Sequence, residues 1–144
     1  MIVLDTNVLS ELMKPVPEAG VSEYVAAQPS SSFFTTTVTQ AEILYGVALL
    51  PMSKRKSGLE EAIVAMFEVD FAGRVLPFDS DAARAYAEIA AGRRQAGMPI
   101  SQFDAQIAAI CRSRGAALAS RNASHFAQCG IQVINPWEGI RQSS

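Results

Sequence analysis

Three apolar residues, Ile2, Val3 and Leu4, run into an acid, Asp5, and are followed at once by two small polar residues and the helix-like pattern Val8, Leu9, Leu12, Met13. A continuous apolar run, unlike an alternating one, marks a strand buried on both faces, and such strands belong to parallel sheets covered by helices. The same alternation recurs along the chain. Lys14-Pro15-Val16-Pro17 stops the first helix, and a second helical stretch runs from about Gly20 to Gln28. Pro29 to Ser32 then punctuates the chain before a β-rich segment, Phe33 to Thr36, which feeds the helix carrying Glu42.

Lys54-Arg55-Lys56 opens a helical segment that continues to about Asp70, and residues 74–78 read as a third strand. Asp79-Ser80 caps a long Ala-rich helix ending near Gly97. A helix from Ser101 to Arg114, closed by Gly115, carries Asp104. Ala116–Ala119 and Ile131–Ile134 read as the last strands, with Asn135-Pro136 ending the second of them. Strands alternating with helices at this spacing predict βαβ units with right-handed crossovers, hence the α/β class and a parallel sheet covered on both faces. No repeat or linker interrupts the 144 residues, so one domain spanning 1–144 is expected.

Composition narrows the chemistry. Hydrophobic residues at 49% and charged residues at 18% argue for a packed globule rather than a disordered chain. A net charge of -2 excludes a general polycation for duplex DNA, so any nucleic-acid contact has to be local. No apolar run approaches the roughly 18 to 20 residues of a membrane span, and the start lacks the basic leader of a signal peptide; a cytoplasmic protein without membrane contact is expected. Cys111 and Cys129 have no paired spacing, which suits a reducing compartment and argues against a thiolate zinc site. His125 is the single histidine, so mechanisms needing two imidazoles in one chain are excluded. Carboxylates and hydroxyls remain.

Three acids stand in matching contexts: Asp5 at the end of the first strand, Glu42 in Thr39-Gln40-Ala41-Glu42, and Asp104 in Ser101-Gln102-Phe103-Asp104. Ligands collect beyond the carboxyl ends of strands in open α/β sheets. Each acid also has a plain structural role open to it, since Thr39-x-x-Glu42 and Ser101-x-x-Asp104 have capping-box spacing and Asp5 or Thr6 can cap the first helix. Asp104 shares a stripe with Ile107, Ala108 and Cys111 and is expected to face inward, where a carboxylate without a cation is costly. Hard oxygen donors without imidazole or thiolate suit Mg²⁺ or Mn²⁺, and such ions serve phosphodiester chemistry.

Leu4-Asp5-Thr6-Asn7, Gln40-Ala41-Glu42-Ile43 with its Ala-Glu-x-x-x-Gly pattern through Gly46, Phe103-Asp104-Ala105, and Ser120-Arg121-Asn122, taken in order and spacing, resemble the PIN-domain ribonucleases, specifically the VapC/FitB-like toxins of bacterial toxin–antitoxin pairs. The likeness extends over essentially the whole chain, including Asn135-Pro136-Trp137. It implies a PIN-like three-layer sandwich with a five-stranded parallel sheet flanked by helices. It further implies a Mg²⁺- or Mn²⁺-dependent endoribonuclease, a homodimer, and a cognate antitoxin that binds DNA. Carried over residue by residue, it makes Asp5, Glu42 and Asp104 metal-binding and catalytic acids, with Thr6, Asn7, Ser120, Arg121 and Asn122 positioning substrate or water. The fourth acid that often follows a Ser-Arg pair is replaced here by Asn122, and an acid three residues later by His125. Both changes remove negative charge.

Lys54-Arg55-Lys56 and Arg93-Arg94 are the densest basic spots and read as solvated helical surface, whereas Arg121 lies beside the proposed site; aromatic interleaving that would stack bases is not evident. Leu44, Val47 and Ala48, with Tyr45 and Leu49-Leu50, are expected in the core, and Trp137 is expected to pack the tail over the sheet edge. His125 reads as a surface residue. Two alternatives remain open. A non-catalytic PIN-like protein binding RNA or a partner is favoured only by Asn122. A haloacid-dehalogenase-like phosphatase needs an acid where Asn7 stands.

Overall fold

A computed structural model describes residues 1–138. Five parallel strands, β1 (Ile2–Leu4), β2 (Phe33–Thr36), β3 (Val75–Leu76), β4 (Ala117–Ala119) and β5 (Val133–Ile134), lie in the order β3-β2-β1-β4-β5. The chain winds outward from β1 through β2 to β3, then returns to the other side of β1 for β4 and β5. The sheet therefore has its topological switch point between β1 and β4, the place where open parallel sheets leave a crevice at their carboxyl ends. Asp5 and Ser120 are the residues that leave those two strands.

The crossovers are helical: α1 (Thr6–Leu12), α2 (Ala19–Ala26), α3 (Thr37–Ala48), α4 (Lys54–Ala65), α5 (Ser80–Gln95) and α6 (Gln102–Arg114), with α4 running on through a π-helical turn at Met66–Asp70. Successive side chains of β1 point to opposite faces, as a strand requires. Val3 joins a core with Leu76, Ile89, Ile107 and Leu118, while Leu4 joins another with Val8, Leu9, Phe33, Ile43 and Ile63. Both faces are thus covered, and the apolar run of β1 is explained. Gly115 ends α6 at φ 64°, a left-handed conformation that a residue with a Cβ adopts only at a cost. No helix among the described residues is long and apolar enough to cross a membrane.

Several expectations are corrected. On α3 the residues facing inward are Ile43 and Val47, four apart on one face, while Leu44, Tyr45, Leu49 and Leu50 are 42%, 65%, 67% and 39% exposed. Of the expected core residues Val47 is buried, while Leu44 and Ala48 turn outward. The cap of α3 is Thr36, whose hydroxyl accepts from Thr39 N–H at 3.0 Å; the helix springs directly from β2, so Thr39 is buried inside it rather than capping it. Arg93 is 6% exposed, not a solvated surface charge. Trp137 packs against the second core, and its segment crosses α2 so closely that a Cβ on Gly20 would meet Trp137 O at 3.1 Å.

Candidate active site

Asp5 leaves β1 in extended conformation and caps α1, its Oδ1 accepting the Thr6 N–H at 2.8 Å. Capping uses only one oxygen. Oδ2 accepts from Ser120 Oγ at 2.7 Å, and the residue is 5% exposed. Burial pushes its pKa above the ordinary carboxylate range, against the pull of the Ser120 and Thr6 hydrogen bonds; the charge of Asp104 adds to the rise and His125 offsets it slightly.

Ser120 is itself fully buried and serves as a hub. Besides donating to Asp5, it accepts from Asn122 N–H at 3.1 Å and from Asn7 Nδ2 at 3.4 Å, while Asn7 Oδ1 accepts from Arg121 N–H at 3.2 Å. The ends of β1 and β4 are laced together by these bonds. Asn7 is occupied by this structural role, which leaves the phosphatase alternative without a proton shuttle.

Thr6 performs the matching task on the other side. Its Oγ1 donates to Glu42 Oε1 at 3.0 Å and lies 3.1 Å from Thr39 Oγ1. A hydroxyl carries one proton, so with that proton on Glu42 the second bond is donated by Thr39. Glu42, half-buried, is shifted up chiefly by burial, with Thr6 lowering it and the charges of Asp5 and Asp104 raising it further. The three acids share one electrostatic field.

Asp104 sits in the first turn of α6, where its N–H donates to the cap residue Ser101 at 3.2 Å. Its side chain is 27% exposed and its Oδ2 lies 3.6 Å from His125 Nδ1. Ile107, Ala108 and Cys111 below it are fully buried, so the expected stripe is correct but its first member opens to the rim. His125 faces an acid rather than only solvent.

Among the described residues, no three His, Cys, Asp or Glu side chains stand close enough together to form a ready-made metal cage. The donor set nevertheless suits a hard dication, because Asp5 and Glu42 each feel the field of Asp104 and, among the described residues, no lysine or arginine forms an ion pair with any of the three acids. Carboxylates that share a field without a countercharge from lysine or arginine are costly until a cation joins them.

The other predicted residues divide. Asn122 contributes its backbone N–H to Ser120. The Arg121 guanidinium stacks on Trp137, 5.0 Å from the ring centre, and so does not lie among the acids. Lys56 closes the far end of α3 by donating to Ala48 O and Leu50 O, both at 3.1 Å. Thr39 escaped notice as a site residue because its spacing from Glu42 matched a capping box. Tyr45 and Phe103, 65% and 55% exposed, border one surface recess with Glu42 and were not singled out as site residues from the sequence. Their positions, three residues after Glu42 and one before Asp104, were the available signal.

Comparison with known proteins agrees with this fold. A family model described as PIN domain matches residues 2–130. The VapC ribonuclease Y4jK of Sinorhizobium fredii (strain NBRC 101917 / NGR234) is 40% identical over 138 residues, covering 96% of this chain and 99% of the relative. Toxin FitB of Neisseria gonorrhoeae (strain ATCC 700825 / FA 1090) is 36% identical over 137 residues, covering 95% and 99%. A solved structure of FitAB bound to an IR36 DNA fragment superposes with a TM-score of 0.89 at 36% identity, over 95% of this chain and 96% of that one.

Proposed function

Since the chain belongs to the PIN-domain family, we propose that it is a metal-dependent endoribonuclease, the toxin of a toxin–antitoxin pair, with Asp5, Glu42 and Asp104 as its metal-holding acids. The observation that carries this assignment is the buried Asp5 at the β1/β4 switch point, hydrogen-bonded by Ser120 and in one electrostatic field with two further carboxylates. The ribonuclease and toxin names of relatives at 40% and 36% identity support the activity and its biological setting.

The chain's own residues prepare the site. Ser120 and the Thr6 N–H fix both oxygens of Asp5 and favour its ionised form against burial. Thr6, backed by Thr39, does the same for one oxygen of Glu42. Asp104 enters from α6 on the third side, with its carboxylate partly open toward incoming substrate. A bound Mg²⁺ or Mn²⁺ supplies positive charge against the phosphodiester and lowers the pKa of an attacking water. Thr6, Asn7 and Ser120 position the acids, and the backbone of Arg121 and Asn122 positions Asn7 and Ser120 in turn. The sum is hydrolysis, in which one P–O bond forms from water and one breaks.

A partner accords with the surface as well as with the DNA-bound FitAB structure. Leu49, Leu50 and Met52 at the end of α3, with Val64 and Val69 on the α4 side, are exposed apolar side chains of the sort a protein partner covers. The proposed partners are a DNA-binding antitoxin and a second copy of the chain.

The test is cleavage of RNA by the purified chain freed of any partner. Cutting is expected with Mg²⁺ or Mn²⁺ and is expected to stop with chelator. Asp5→Ala and Asp104→Ala should each abolish it with an unchanged circular dichroism spectrum. Metal-independent cutting, or rates unaltered in both variants, overturns the assignment.

A further inference from the structure

Beside the acids, a recess of about 270 Å³ is bordered by Arg93, Ser101, Asp104, Ser124 and His125. Arg93 is the unusual member. It comes from α5, is 6% exposed, and has no carboxylate within ion-pair distance among the described residues. Its Nε donates to Met98 O at 2.6 Å and its Nη1 to His125 O at 2.9 Å and Ala127 O at 2.7 Å, with Cys129 Sγ 3.8 Å away. All of these acceptors are neutral. They satisfy geometry without cancelling charge, and the two N–H groups of Nη2 have no acceptor among the described residues. A buried cation in this condition favours an anion.

A second feature converges on the recess. Ser101 caps α6, a helix of 13 residues, so the recess lies at the positive end of that helix dipole, where the N–H groups of Gln102 and Phe103 have no intrahelical acceptor. Because Ser101 Oγ already accepts from Asp104 N–H, its own proton is free to be donated. Ser124 adds another hydroxyl. Among the described residues Asp104 is the one acid on the lining, and it joins the recess to the metal-holding acids described above.

We infer that this recess is a phosphate subsite, in which Arg93, Ser101, Ser124 and His125 hold a phosphodiester of the RNA strand next to the one being cut; the inference rests on the ribonuclease assignment above. The shared chemistry is the phosphate group. A strand lying with one phosphate at the acids and a neighbouring one in the recess is bound by both ends of Asp104's turn.

The test replaces single phosphates of a short RNA by uncharged methylphosphonates and measures cleavage by the wild-type chain in Mg²⁺ or Mn²⁺. At one position that is not the cleaved bond, KM should rise about tenfold, as for loss of one charge-assisted contact, with kcat changed by less than about twofold. Arg93→Gln should show the same rise, and because that buried change can also unfold the chain, Ser124→Glu at an exposed position provides an independent variant. Ser124→Glu should raise KM similarly and should remove the penalty of the methylphosphonate at the sensitive position. Amide NMR with inorganic phosphate forms the second arm, in which Gln102, Phe103 and Ser124 signals should move in the wild type and stay still in Ser124→Glu. RNA cutting with no sensitive position, or with KM unchanged in Ser124→Glu, overturns the subsite and leaves the ribonuclease assignment standing. Shifts with inorganic phosphate but no sensitive RNA position assign the recess to a free phosphate compound and also overturn it as stated. A wild type that cuts no RNA overturns both.

Discussion

Ser120 and Asp5 lie 115 positions apart in the chain, yet the hydroxyl donates to the carboxylate at 2.7 Å where β4 and β1 end side by side. That bond lowers the pKa of Asp5 against the effect of burial. Ser120→Ala should therefore move the acid limb of the pH–rate profile upward and leave Asn7 Nδ2 and Asn122 N–H short of an acceptor. Chemical denaturation is expected to register a loss of about 1–3 kcal/mol. A profile that stays in place would separate Asp5 from the rate-limiting ionisation.

Metal-free protein should be stabilised by removing the buried charge. Asp5 and Glu42 have folded-state pKa values raised chiefly by burial, so each holds its proton more tightly in the folded chain than in the unfolded one. Stability from these groups is present below the ordinary carboxylate range and falls as pH rises through the raised values. In chelator at neutral pH, Asp5→Asn should melt above the wild type, by the equivalent of about 1 kcal/mol, while cutting no RNA. Added Mg²⁺ should raise Tm for the wild type and not for this variant.

Glu11 should respond in the opposite sense. It is buried, with Lys14 Nζ 2.9 Å from Oε1 and the Glu18 N–H 3.1 Å from Oε2, and these partners hold its carboxyl below the usual range, Lys14 first. Its contribution to stability is present above the ordinary carboxylate pKa and is lost as pH falls through the lowered value. Glu11→Gln should melt below the wild type at neutral pH, and thermal melts along an acid titration should show the gap closing.

Thr6→Val keeps the shape of the side chain but leaves Glu42 Oε1 without its donor at 3.0 Å. The Glu42 carboxyl should rise further, and kcat should drop about tenfold, the worth of one hydrogen bond to a charged group. Thr6→Ser should restore most of the rate. Steady-state kinetics of the two variants side by side distinguish loss of the hydroxyl from loss of packing.

Neither cysteine should react in the folded protein. Cys111 and Cys129 are free and buried, and the Cys111 thiol is pushed up to about 12, mainly by burial. Alkylation at pH 8 should label both only after denaturant is added, as read by intact mass.

Much of the fold was legible because each element carries its own local physics. Ile2 to Leu4 and Phe33 to Thr36 are short runs that read as strands, Ser101 and Asp79 are caps, and Gly115 stops a helix, all visible without tertiary information. The rotation of α3 was not visible, because apolar residues lie all around that helix. Whether Ile43 or Leu44 faces inward depends on how the helix leaves β2 at Thr36, and Thr36 displaced Thr39 as the cap.

The order of residues alone settled which chemistry is available: a single histidine, unpaired cysteines and three acids in matching contexts leave hard-oxygen chemistry, and local patterning suffices for the α/β alternation. Packing settled how those acids are held. The pairing of β2 beside β1 sets Thr6 against Glu42, and the return of the chain to the far side of β1 sets Ser120 against Asp5 and Arg93 beneath the turn of His125, since each contact joins segments whose separation in sequence exceeds the reach of any helical or strand period. Residue type is a property of one position, whereas a buried charge's partner is chosen by the backbone path that brings distant positions together.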